Sequence, residues 1–225
     1  MKANTSVEMI KYLQPTETIN SDSPEIIGFA RDISGGGTTD IDKAVKLFYA
    51  VRDKIIYDPY QADLSLSALK ASSVLARKAG FCIPKAILLA AVLRSEGIPS
   101  RLAFANVKNH LMTERLLAIM ESNVVVFHGY TEIFLENKWV KATPTFNISL
   151  CERFGVLPLD FDGRNDSIFH QFNGQGDKHM EYLYDHGRFA DLPYDMMLGI
   201  FKENYPSIFN GETEINVGFE EDASA

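Results

Sequence analysis

The chain has 225 residues, 46% hydrophobic and 23% charged, with a formal net charge of -8 and two cysteines. This is a globular composition with enough chain for one large core, or for a core with an appended lobe. The acidic balance argues against nucleic acid as the main partner. No run of about 18 apolar residues is present to cross a membrane, and two cysteines are too few for a disulfide framework.

Met1 to Pro15 lacks the charged start, apolar run and small-residue site of a signal peptide, so the expected compartment is the reducing cytoplasm. Gly35-Gly36-Gly37-Thr38-Thr39 reads as a loop. A phosphate-binding loop would need a following Gly-Lys-Ser/Thr, and no Lys follows. Asp40 to about Ile56 reads as a helix with Asp40 as its cap, because Val45, Phe48, Ala50, Val51 and Ile55 recur at helical spacing. Tyr57-Asp58-Pro59 stops it. A short helix over Ser72 to Ala79, ended by Gly80, is expected next.

Pro84 suits the first turn of a further helix. Its residues Ala86 to Leu93 are apolar on every face, which marks a helix buried all round. Gly97 and Pro99 end it. Ser100 to Val107 reads as a strand, and Lys108 to Ser122 as a polar helix or excursion. Asn123 to Leu135 is the clearest strand, with a turn at Glu136-Asn137-Lys138 and a returning strand over Trp139 to Thr145. A two-residue turn at Asn137-Lys138 would set Glu132 across from Thr143 and His128 across from Asn147. Residues 1–150 therefore read as the core, and 151–225 as a loop-rich extension of loops and short helices packed on it.

Cys82 opens the buried helix. The free N–H groups there carry about half a positive charge, which favours thiolate and lowers the expected thiol pKa. The same N–H groups can stabilise an oxyanion. His128 lies on the alternating strand with Val124, Val126, Tyr130, Glu132 and Phe134 on its face. A neutral imidazole there can take the thiol proton and return it to a leaving amine. A metal site on His179, Asp185 and His186 matches no standard ligand spacing, and no cofactor motif is visible.

The stretch from Ser73 to Cys82, followed by Leu93-Arg94-Ser95-Glu96-Gly97-Ile98-Pro99-Ser100-Arg101, resembles the nucleophile region of the transglutaminase-like, papain-related superfamily. His128-Gly129-Tyr130-Thr131-Glu132 and Trp139-Val140-Lys141-Ala142-Thr143-Pro144-Thr145 are similar to that family's histidine and "Asp-Pro-Thr" segments. Tyr57 resembles its upstream tyrosine element. The resemblance implies an α+β fold in which a central antiparallel sheet packs on a buried helix carrying the cysteine at its N-terminus. It also implies acyl transfer through a thioester on Cys82, with His128 as base and acid and a protein or peptide amide as substrate. Thr143 stands where the family has Asp, so Thr143 and Asn147 are both candidates to orient His128. The alternative is a non-catalytic binding module that keeps the fold. Glu132 is expected to be a structural hydrogen-bonding group.

Overall fold

The computed structural model describes residues 9–60, 62–110, 112–169, 180–206 and 219–223. Helix α1 (Pro24–Ser34) starts where the Ser23 hydroxyl accepts the Ile26 N–H. Helix α2 (Asp40–Lys54) is capped by Thr39 rather than Asp40, since the Thr39 hydroxyl accepts the Asp42 N–H at 3.1 Å. Strand β1 (Ile56–Tyr57), helix α3 (Leu66–Leu69) and helix α4 (Ala71–Arg77) follow. Lys78, at φ 57°, closes α4 through its N–H to the Val74 carbonyl. The expected stop at Gly80 is therefore two residues late. Ala79–Gly80 instead forms β2, paired parallel with β1.

Helix α5 (Cys82–Ser95) is buried from Cys82 through Arg94. It packs against the sheet on one side and against α1, α2 and α4 on the other. Full burial of each Ile, Leu or Val side chain contributes about 1.5–3 kcal/mol, so one helix anchors both layers. At its C-terminal end the Arg94 guanidinium donates to the carbonyls of Gln14, Ser100 and Ala190.

Strand β3 (Ser100–Asn109), helix α6 (Glu114–Met120), strand β4 (Val124–Leu135), strand β5 (Lys138–Ala142), helix α7 (Ile148–Phe154), strand β6 (Met180–Phe189), helix α8 (Tyr194–Asn204) and helix α9 (Phe219–Asp222) complete the described elements. The sheet runs β5-β4-β3-β6 and is antiparallel throughout. This is the expected mixed α/β arrangement, with the buried helix on one sheet face. On the other face lies a smaller cluster containing Ala103, Ala105, Val107, Tyr130 and Phe169.

Two sequence expectations are corrected. The β4–β5 turn is Glu136–Asn137, with φ values of 47° and 66°, and Leu135 pairs with Lys138. Both turn residues are left-handed, as a two-residue hairpin of matching twist requires. Glu132 therefore faces Lys141, not Thr143. Continued past Ala142, this register would set Thr145 rather than Asn147 across from His128. Second, the segment after Cys151 is not only loops and short helices, because β6 pairs with β3 from Leu102 to Asn109.

Candidate active site

Cys82 is the first residue of α5, and no side chain caps the turn that precedes it. The backbone N–H groups of Gly129, Ile83 and Cys82 itself are near enough to its sulfur to pull the thiol pKa down. The Gly129 contact exists because β4 runs directly against the start of α5. A Cβ at Gly129 would stand 3.1 Å from the Ile83 Cα and 3.3 Å from the Phe104 ring, so any side chain there would force strand and helix apart. The thiol is 5% exposed, and burial pushes it up to about 11 against the pull of those three N–H groups. The lowered pKa expected from the helix start is thus overturned. The helix field is present, but loss of water around the anion outweighs it.

A bulge sets the direction of His128. Ala105 pairs with His128 and Val107 with Val125, which leaves Val126 and Phe127 opposite the single residue Asn106. Phe127 takes φ 58° there, a costly conformation for a bulky side chain. Its N–H donates to the Asn106 side-chain oxygen at 3.1 Å, and the same oxygen lies 2.7 Å from His186 Nε2. With Gly129 turned onto α5, His128 turns to the other sheet face, where its ring meets Phe169 at 5.3 Å between centroids. Burial pushes its pKa down to about 4, and Nε2 has no hydrogen-bond partner among the described residues. The Gly129 N–H that acts on the sulfur belongs to the residue after His128, and with pKa values of about 11 and 4 both groups are neutral at pH 7.

Thr143 and Asn147 fare differently. The Thr143 N–H donates to the Ser167 carbonyl at 3.0 Å. Its buried hydroxyl lies toward the Tyr182 phenol without completing a hydrogen bond. Thr145 and Ser167 likewise hold buried hydroxyls without a partner among the described residues. Asn147 has both ends of its amide engaged. Its oxygen accepts the Tyr57 N–H at 3.0 Å, and its nitrogen donates to Ser149 at 2.7 Å and Glu220 at 2.6 Å. The structure thus ties Asn147 to β1 and α9.

Sequence reasoning missed three phenols. Tyr57, Tyr182 and Tyr205 all lie close enough to Cys82 to interact with its charge, and burial raises the pKa of each. The Tyr205 hydroxyl is committed to β4, accepting the Val126 N–H at 2.6 Å and donating to the Val124 carbonyl at 3.1 Å. Tyr57 carried a sequence signal, its likeness to the upstream family element. Tyr182 and Tyr205 stand in the aromatic tail, where no spacing marks them.

Cys82 also lines a cavity of about 260 Å³. Its wall includes the rings of Tyr57, Phe146, Phe154, Phe201, Tyr205 and Phe219. Phe219 from α9 packs on Tyr57 and Tyr60, at 5.5 and 5.2 Å between centroids. His128 is not part of this wall.

The charged residues near the site serve the scaffold. The carboxylate of Glu132, 3% exposed, accepts from Arg101 at 2.6 Å and from Arg188 at 3.0 Å. Arg101 in turn lies 3.9 Å over the Trp139 ring. Lys85, one turn after Cys82, donates to the last carbonyls of α2, those of Arg52 and Ile55, and burial brings it down to about 7. Asp185 accepts from Gly187 and Arg188. His179 and His170 lie outside the described residues.

A family model described as the transglutaminase-like superfamily matches residues 27–144. That span takes in Cys82, His128 and Thr143 and stops short of Asn147. Among solved structures, an arylamine N-acetyltransferase from Salmonella typhimurium is 16% identical, with a TM-score of 0.49 over 83% of this chain and 72% of that one. A candidate cysteine protease from Cytophaga hutchinsonii is 14% identical, with a TM-score of 0.49 over 81% of this chain, and the chain spans 54% of that protein's length. The periplasmic domain of TgpA from Pseudomonas aeruginosa is 19% identical, with a TM-score of 0.38 over 54% of this chain and 42% of that one. No curated protein matches, and no described helix is long and apolar enough to cross a membrane.

Proposed function

Because the chain belongs to the transglutaminase-like superfamily, we propose that it transfers acyl groups through a thioester on Cys82. The observation that carries this reading is the set of N–H groups around the sulfur: Gly129 from the strand, Ile83 and Cys82 from the helix start. Such donors can hold the oxyanion of a tetrahedral intermediate as well as the thiolate.

The chemistry starts from a neutral thiol and a neutral imidazole. As the sulfur attacks the carbonyl carbon, the S–C bond forms and His128 takes the thiol proton. The carbonyl oxygen gains charge and is held by the backbone N–H groups. When the tetrahedral species collapses, the bond from carbon to the leaving nitrogen or oxygen breaks. His128 returns its proton to that atom. Water then attacks the thioester with His128 again as base, which regenerates the thiol and releases the acid. An amide of peptide type fits this sequence of steps, with hydrolysis favoured over transfer to an amine.

We assign the orientation of His128 to the Thr143 side rather than to Asn147, whose amide is already bonded at both ends. A hydroxyl lacks a carboxylate's charge, so the imidazolium formed in the transition state gains less stabilisation than an Asp would give.

A second reading has its own support. With a thiol near 11, a histidine near 4 and no carboxylate at position 143, the site also suits a binding module that keeps the fold. Acid-quenched intact-mass measurement during turnover of an activated ester separates the two. An acyl adduct on wild type that is lost in Cys82→Ser supports the enzyme. Complete absence of adduct from every ester offered refutes it.

A further inference from the structure

The cavity beside Cys82 has a definite chemistry. Among its lining residues are the rings of Tyr57, Phe146, Phe154, Phe201 and Phe219, together with Leu116. Among the described residues no Asp, Glu, Lys or Arg contributes to its wall, and Asn109 is the one amide side chain. At about 260 Å³ it lies just below the range of about 300–1,000 Å³ that holds drug-sized ligands.

Its position relative to the two reacting groups decides which part of a substrate it takes. The leaving atom must meet the proton carried by His128. His128 lies on the sheet face with Phe169 and is no part of the cavity wall. Buried hydroxyls without protein partners, those of Thr143, Thr145 and Ser167, belong to the stretch that follows β5 and its bridge partner, not to the cavity wall. The cavity reaches the sulfur without including the imidazole in its wall. A group filling it is the one that stays on sulfur after the leaving group departs.

We propose that this cavity is the acyl pocket, and that Cys82 accepts a small, uncharged, apolar acyl group of medium-chain aliphatic or aryl type. The proposal rests on the thioester reading above and narrows its substrate. A charged acyl group would have to shed its water in a wall that offers no opposite charge, which costs several kcal/mol. An apolar chain gains with each methylene buried. In hydrophobic pockets one methylene changes kcat/KM by roughly 10–200-fold.

The test has two independent arms. In the first, p-nitrophenyl acetate, hexanoate and hemisuccinate are compared on the full chain by nitrophenol release and by intact mass of acid-quenched protein. Hexanoyl, four methylenes longer, should exceed acetyl by at least on the order of 100-fold in kcat/KM, and hemisuccinate should be the poorest. In the second, hexanamide binding to Cys82→Ala is measured by calorimetry, where no chemistry occurs. Met120→Trp and Ile119→Phe narrow the wall from α6, and each should weaken hexanamide and cut hexanoyl transfer at least tenfold while sparing acetyl. Two variants are used so that misfolding of one leaves the test intact. Adducts that form on Cys82 with no hexanoyl preference, or hexanamide affinity indifferent to both variants, overturn the acyl pocket and leave the thioester reading standing. Hexanamide binding to Cys82→Ala without an adduct from any ester overturns the thioester reading and leaves an apolar binding site.

Discussion

The two cysteines make a controlled pair. Both are buried, at 5% and 2% exposure, and burial pushes both thiols up to about 11. Their surroundings differ. Cys82 begins a helix, lies near three backbone N–H groups and touches a cavity. Cys151 lies inside α7, where its thiol donates to the Phe146 carbonyl at 4.0 Å. A carbonyl repels a thiolate and cannot stabilise an oxyanion. What sets the proposed nucleophile apart from the other cysteine is thus the set of donors and the open volume around it, not the acidity of the resting thiol.

The sharpest break of that comparison is mutational. Cys82→Ser should lower ester turnover by on the order of 10³-fold or more, while Cys151→Ala leaves it within about twofold apart from any loss of stability. Equal losses in nitrophenol release would erase the distinction. His128→Ala should cost roughly 10²–10⁴-fold in turnover, the range for a positioned general base. Turnover unchanged in that variant would remove His128 from the mechanism.

Alkylation sharpens the comparison from the other direction. With thiols near 11, both cysteines should react with iodoacetamide at pH 7 about 100-fold more slowly than a free cysteine. Both rates should rise up to about pH 11. Hexanamide should protect only Cys82. A fast Cys82 reaction that levels off near pH 7 would show that the N–H groups win over burial after all.

The pH dependence of stability tests His128 separately. Its folded pKa is lowered to about 4, so the unfolded chain binds more protons between that value and about 6.5. Stability should therefore fall as pH drops from about 6.5 toward 4, by about 3 kcal/mol in total. His128→Phe should remove this dependence in urea titrations at pH 7 and pH 4.5. The smallest effect is expected from Thr143→Val, a loss of turnover of roughly tenfold or less, since a neutral hydroxyl gives up less than a carboxylate. Asn147→Ala should instead lower stability, by about 1–3 kcal/mol, because it leaves the buried Tyr57 N–H unpaired.

Legibility followed the physics of each signal. Helix α5 announced itself because burial on all sides demands apolar residues at every position, and Pro84, Gly97 and Pro99 bracket it. Cys82 and His128 became candidates through that helix, the β4 alternation and the family resemblance, and their roles stand as the proposal above. The hairpin register was not, because Glu136 adopts a left-handed conformation that its residue type disfavours, and nothing in the sequence signals it. The thiol acidity was misjudged because a local rule about helix ends says nothing of how deeply the end is buried. Strand β6 carried no alternation, because most of it is exposed at a sheet edge. The cavity gathers its wall from segments between Tyr57 and Phe219, a coincidence of tertiary packing that no window of sequence contains.

The form of β6 also bears on how this protein behaves in concentrated solution. Leu183 and Tyr184 are 54% and 61% exposed, on a strand whose outer edge has no partner among the described residues. A straight apolar edge of that kind recruits strands from other molecules. Here the pairing with β3 slips twice, between Phe104 and Ala105 and between Asn106 and Val107, and Gly187 turns at φ 102°. The irregular edge presents no continuous ladder to a neighbouring molecule. Asp185 and Arg188, bonded to each other across that turn, place charge where a foreign strand would begin to dock. The two slips on β6 thus break the outer edge, as the separate bulge on β4 turns Phe127 and His128 within the sheet.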